Sequence, residues 1–288
     1  MKILGVHGGH DSAYAVLEDG LPIVHNELER FNRQKGCKGD SLKLALEIEN
    51  NLDFDYIVTN RTGKFVQYFN YNEDAFMANF PNSKLFITNH HQAHAANTFY
   101  TSNFEDALII TIDGGGVDYD DGRENSWGDL DSMPNSKAKI TATTFWLGEG
   151  NKIKPIEVID RTKLNVGVYW DHCTYHIFGL NRNAVKRGEE GTVMGMAAFG
   201  DADKYIGHFK NMGSGGTGPD NIDFLIEEAG KSEQNKFDIA ASLQLETERV
   251  CKNLFDSYVE KYKPKNICLS GGVSLNCVMV GKMFDWYP

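Results

Sequence analysis

The chain has 288 residues, 41% hydrophobic and 24% charged, with a net charge of −11. That is ordinary globular material, enough for one large or two small domains. The acidic balance disfavours non-specific binding to nucleic-acid backbones and gives no reason for attachment to anionic membranes.

The opening, MKILGVHGGHDSAY, lacks the small-residue cleavage site of a signal peptide, and no apolar run approaches the ~18–20 residues of a membrane span. Lys2 to His7 is predicted as a strand, followed by a turn at Gly8-Gly9-His10. Ser12 to Leu17 and Leu21 to Asn26 are two more strands, joined by the hairpin signal Asp19-Gly20. Ser41 to Leu52 has helical spacing. Tyr56 to Thr59 and Leu85 to Thr88 are short buried strands, and His90 to Tyr100 is an alanine-rich helix.

The pattern restarts near residue 107. Ala107 to Ile112 is an apolar strand that is expected to end in a turn at Asp113-Gly114-Gly115-Gly116. Residues 117–139 are polar, acidic and turn-rich, and read as a long surface loop. Thr141 to Trp146 and Ile153 to Ile159 are strands, and Val166 to Phe178 is a helix. Asn211 to Pro219 is glycine-rich and reads as a flexible segment. Ile239 to Tyr262 has the clearest apolar stripe of any helix. Ile267 to Leu269 is a last strand, and Ser270-Gly271-Gly272 opens a last helix. Strands followed by a helix thus occur twice, which predicts an α/β fold of two halves, residues 1–105 and 106–288, with the acidic 117–139 loop inserted in the second.

The glycine turns after three strands each let backbone N–H groups approach an anion closely. Each is also an ordinary strand-end turn when taken alone; three in one chain favour a phosphate cradle. His90 and His94 are four apart, on one helix face, and Asp113 offers a carboxylate from a neighbouring strand. Two histidines and a carboxylate suit Fe(II) or Zn(II) in Lewis-acid work, although structural histidines share the same spacing. His172 and His176 repeat that spacing inside a mainly apolar helix, where core or pocket-lining roles are favoured. His10, beside Asp11, is a candidate base. Glu29, Arg30, Arg33 and Lys35 form either a solvated charge cluster or an anion clamp. Lys186 and Arg187 precede the small-residue turn Met194-Gly195-Met196-Ala197, where a ligand could approach the backbone. The five cysteines are odd in number and lack a CxxC pair, which argues for a reducing cytoplasm.

Read together, GHDSAYAVLEDG, ELERFNRQK, HHQAHAANTFY, ITIDGGG, GEEGTVMGMAAFG, DIAASLQLETE and CLSGGVSLN resemble, in order, segments of the O-carbamoyltransferases of nodulation-factor and antibiotic tailoring. AAFG stands where APYG is commoner in that family. The resemblance implies an actin-like (ASKHA) fold of two ribonuclease-H-like halves. It implies that His90, His94 and Asp113 hold a metal, usually iron, and that His10 helps to deprotonate the acceptor hydroxyl. Gly9, Asp11, Ser12, Arg30, Gly114, Gly115, Gly195, Gly271, Gly272 and Asn276 then bind ATP or carbamoyl adenylate. The donor derives from carbamoyl phosphate, the acceptor is a hydroxylated small molecule, and a homodimer is left open. The family continues past the equivalent of Pro288 with a closing strand, a further metal-binding Asp and an adenylating domain, so the second half is expected to be incomplete and the chain inactive alone. The competing readings are an ASKHA-type sugar kinase or ATPase, which leaves His90 and His94 without a shared purpose, and a non-catalytic nucleotide-binding remnant.

Overall fold

The computed structural model of the chain describes residues 1–37, 39, 41–49, 53–60, 77–119, 138–180 and 188–288. Two compact units are present, one built on Met1–Ala93 and one on His94–Gly116 together with Ile140 onwards.

In the first unit, β1 (Lys2–His7), β2 (Ala13–Glu18) and β3 (Leu21–Glu27) form an antiparallel meander. Asp19 and Gly20 both have positive φ, as a tight hairpin with the right-handed strand twist requires. The short helix α1 (Leu28–Asn32) follows, then α2 (Ser41–Ile48). Strands β4 (Tyr56–Asn60) and β5 (Lys84–Thr88) add in parallel, giving the order β3-β2-β1-β4-β5. Leu4, Val6, Tyr14 and Val16 meet Leu42, Ala45, Phe54 and Phe80 in one core.

Helix α3 (His90–Tyr100) leads to the second unit, with β6 (Asp106–Tyr119), β7 (Ala138–Glu149), β8 (Lys152–Asp160) and the later β9 (Ile267–Ser270). Their order is β8-β7-β6-β9, with β7/β8 antiparallel and β6/β9 parallel. This repeats the first four positions of the first sheet. Among the described residues, no strand pairs with the outer edge of β9. Helices α4 (Val166–His176), α5 (Glu190–Met196), α6 (Ile222–Lys231), α7 (Glu233–Tyr262) and α8 (Cys277–Trp286) complete the unit.

The two faces of β6 settle the architecture. Leu108, Ile110 and Ile112 point into the large core with Phe145, Tyr169, Leu243 and Phe255. Ala107 and Ile109 point the other way, into a smaller core with Ala95 and Phe99 of α3. A strand buried on both faces reads as a continuous apolar run, as this one does.

Several expectations need correction. The DGGG segment is not a strand-end turn: β6 runs through it, and Gly115 takes φ 143, where an added Cβ would stand 3.0 Å from Ile140 Cγ2. Residues Met194–Ala197 are not an open turn but the end of α5, which passes into a 3-10 turn at Ala197–Phe199. The glycine-rich 211–219 stretch is anchored: Met212 is buried, and the Asn211 side chain donates to Gly218 O (2.9 Å) and accepts from Tyr169 Oη (2.7 Å). Helix α7 begins at Glu233, six residues before the apolar stripe, because Ser232 Oγ caps it by accepting from Asn235 N. Lys186, Arg187 and the acidic stretch from Asp120 to Lys137 lie outside the described residues.

Candidate metal centre

Strand parity builds this site. Because alternate side chains of β6 face α3, Asp113 falls on the same side as Ala107 and Ile109. On α3, His90, His94 and Thr98 are spaced by four and share one face. Thr98 Oγ1 lies 3.4 Å from Leu269 O, tying that face to β9. The boundary between the two units falls inside α3, between Ala93 and His94, so one continuous helix carries both histidines.

One ligand atom from each of His90, His94 and Asp113 lies within 4.8 Å of the others. His94 Nε2 is 3.2 Å from Asp113 Oδ2, with 31% and 21% of the two side chains exposed. Two donor atoms each about 2.1 Å from one ion, at angles between octahedral and tetrahedral, stand roughly 3.0–3.4 Å apart, so this separation suits joint ligation. Asp113 Oδ1 accepts from Gly114 N at 2.6 Å, which orients the carboxylate. Two imidazoles and one carboxylate are the donor set of non-haem Fe(II) and Zn(II) sites with open positions. The residues therefore fit a divalent transition metal. Among the described residues, this is the one cluster of three such groups.

Gly271, Gly272 and Gly167 have steric reasons to be glycine. A Cβ on Gly271, at φ 100, would stand 2.3 Å from Ile112 O, and one on Gly272 would stand 2.7 Å from Asp113 Oδ1. The Gly271-Gly272 turn thus lies against the middle of β6, at Ile112 and Asp113. Across β6, a Cβ on Gly167 in the first turn of α4 would strike Gly114 N at 2.4 Å. Asn276 caps α8: its Oδ1 accepts from Met279 N, and its amide pairs reciprocally with Gln244 of α7 at 2.7 and 3.2 Å. Its side chain therefore holds the turn to α7. Gly195 lies in α5, with open space where a Cβ would be. Sequence reasoning gave no separate role to Ser270, Gly167 or Gln244, although the parity of Cys268 and Ser270 on β9 marks Ser270 as facing α3.

In the first unit, His10 Nδ1 is 2.7 Å from Asp11 Oδ2. That hydrogen bond, opposed by partial burial, holds the Asp11 carboxyl below its ordinary range. Asp11 has φ 56, a left-handed conformation that Asp tolerates. Ser12 is buried, its hydroxyl within hydrogen-bond distance of two acceptors, His7 O (2.9 Å) and Gly39 O (2.8 Å), so it braces the turn that carries Gly9 and His10. Arg30 is exposed on α1, with Nε 3.0 Å from Glu27 Oε2. His172 and His176 lie with ring centroids 4.3 Å apart and planes tilted by 39°, and belong to no three-residue ligand cluster among the described residues. Burial, then the neighbouring His176, lowers the His172 pKa.

Residues 58–286 match the family model described as carbamoyltransferase N-terminus. The chain is similar to the nodulation protein NolNO of Sinorhizobium fredii, 26% identical over 315 residues that cover 95% of this chain and 42% of that protein. It thus spans less than half the length of that relative. Among solved structures it is similar to T. kodakarensis HypF (TM-score 0.55, 16% identity, 97% of this chain and 43% of that one). It also resembles a ROK hexokinase from Thermus thermophilus (TM-score 0.50, 12% identity, 100% and 88%). These likenesses give the fold: two sheets in an actin-like, ASKHA-type arrangement. Among the described residues, no helix is long and apolar enough to cross a membrane.

Proposed function

Because this chain belongs to the carbamoyltransferase N-terminus family, we propose that it transfers a carbamoyl group from carbamoyl adenylate, made from carbamoyl phosphate and ATP, to a hydroxyl of a small-molecule acceptor. The observation that carries this reading is the convergence of His90, His94 and Asp113 within 4.8 Å in a chain of that family. A divalent ion there, iron or zinc, would act as a Lewis acid on carbonyl oxygen. His10 is the base: with Nδ1 engaged by Asp11, Nε2 is the nitrogen that takes the acceptor's proton. The acceptor oxygen bonds to the carbamoyl carbon as the bond to AMP breaks. In this reading the backbone amides beside Gly9, Gly114, Gly115, Gly195, Gly271 and Gly272 accommodate the nucleotide and its phosphates, and Asn276 fixes the last turn. All five cysteines are free, which supports a reducing, cytoplasmic setting.

The test joins this chain to an adenylating domain of the family, because the chain alone is expected to be inactive, and supplies labelled carbamoyl phosphate, ATP, Fe(II) and a panel of hydroxylated acceptors. Label should enter an acceptor as a carbamate ester, and both His94→Ala and His10→Asn should abolish it. Acceptor-dependent ATP hydrolysis with phosphate, not carbamoyl, on the acceptor would replace this reading with a sugar kinase.

A further inference from the structure

We infer that Ser270 is a positioning residue of the metal centre, fixing the His94 ring so that Nε2 faces the ion; this rests on the metal-binding reading above. Cys268 packs in the small core beneath α3 with Ala95 and Phe99, and strand alternation sends Ser270 of β9 to that same face. Ser270 Oγ lies 3.4 Å from His94 Nδ1, while Nε2 of the same ring faces Asp113 Oδ2 at 3.2 Å. The two ring nitrogens are therefore divided between a hydroxyl on one side and a carboxylate on the other. An imidazole that ligates through Nε2 keeps its proton on Nδ1, and that N–H needs an acceptor. Ser270 Oγ is an acceptor within reach, at the long end of hydrogen-bond distance.

The surroundings hold Ser270 in place. It pairs with Thr111 of β6, two residues before Asp113, in the parallel register of β6 and β9. Thr98, one turn beyond His94, reaches Leu269 O on the same strand. The next residue, Gly271, lies against Ile112 O, and Gly272 lies against Asp113 Oδ1. The Ser270-Gly271-Gly272 segment thus contacts both a histidine and the carboxylate of the centre. That gives the segment a role in shaping the metal site, besides any contact it makes with phosphate.

The experiment compares wild type, Ser270→Ala and Ser270→Thr in the 288-residue chain. Threonine keeps the hydroxyl and suits a strand. Zn(II) and Co(II) affinities are measured by chelator competition, and the His94 tautomer by nitrogen NMR of the Zn(II) form. Loss of an outer-shell partner costs about 10–100-fold in metal affinity. Ser270→Ala should fall in that range, with Nδ1 protonation of His94 no longer uniform, and Ser270→Thr should recover most of the affinity. Equal melting temperatures of the metal-free forms separate positioning from general damage. Wild-type affinity and an unchanged tautomer in Ser270→Ala would overturn the inference alone. Absence of Zn(II) binding that depends on His94 in wild type would overturn the metal reading, and this inference with it.

Discussion

A methyl group added at Gly272 would stand 2.7 Å from Asp113 Oδ1, closer than side-chain carbon and carboxylate oxygen can sit. The carboxylate is also held by Gly114 N, so it has little room to retreat. Gly272→Ala should therefore displace Asp113 and weaken metal binding by roughly tenfold or more, the scale set by disturbing a ligand's support. Gly271→Ala should behave differently. There the obstacle is the backbone oxygen of Ile112 and the φ is 100, so folding suffers as well, by about 1–3 kcal/mol. Chelator competition and thermal melts on the two variants separate the effects.

The two HxxxH pairs should differ in metal content. His94→Ala and Asp113→Asn each remove a ligand from a three-residue cluster, so bound metal should fall sharply. His172→Ala and His176→Ala touch a tilted ring pair that belongs to no such cluster among the described residues, and should retain wild-type stoichiometry. Elemental analysis of the four proteins after identical loading checks both halves. Retention of metal by His94→Ala would sink the assignment.

Much of this centre was legible because strand and helix periods are rigid rules. An i, i+4 histidine pair must share a helix face, and every second residue of β6 must face α3. Strands followed by a helix occur twice along the chain, which is why two sheets could be anticipated; the strand order that the two sheets share over four positions came from the structure. The DGGG run misled because glycine signals a turn in isolation. Here Gly115 takes φ 143 inside a strand, a conformation that side chains rarely adopt, and Gly167 of α4 packs on the backbone of Gly114; both are tertiary facts. The start of α7 was hidden because its first turns are polar; the cap at Ser232 marks it better than the apolar stripe does.

The pH behaviour of the His10–Asp11 pair follows from the direction of the Asp11 shift. Its folded pKa is depressed, chiefly by the hydrogen bond from His10. Any stability the pair contributes is therefore present above the ordinary carboxylate value near ~3.9 and is lost as pH falls through the lower folded value. Asp11 stays ionised throughout the mildly acidic range. A loss of turnover between about pH 5 and 7 must then come from another group. Asp11→Asn should remove a component of acid destabilisation below about pH 4 and should lower turnover at neutral pH while keeping metal. Acid-titration melts and a pH–rate profile on the variant provide the check.

The same substitution at two glycines should have opposite signs. Gly167 sits in the first turn of α4, behind the cap in which Asn165 Oδ1 accepts from Val168 N. A Cβ there would meet Gly114 N at 2.4 Å, Gly114 Cα at 2.5 Å and Asp113 C at 2.9 Å. All three are backbone atoms of β6, so no rotamer change relieves the clash; strand or helix must shift. Gly167→Ala should cost about 1–3 kcal/mol or more, and because β6 carries Asp113, metal affinity should fall with it. Gly195, in the last turn of α5, has open space at the Cβ position. Alanine there removes the entropic penalty of glycine in a helix, so Gly195→Ala should stabilise by up to ~1 kcal/mol. Nucleotide binding then separates two roles for Gly195. If ATP or carbamoyl adenylate lies on its backbone, the added methyl group should raise the nucleotide dissociation constant even as the melting temperature rises. A melting temperature raised with unchanged nucleotide affinity would remove Gly195 from the site and leave it as a helix glycine.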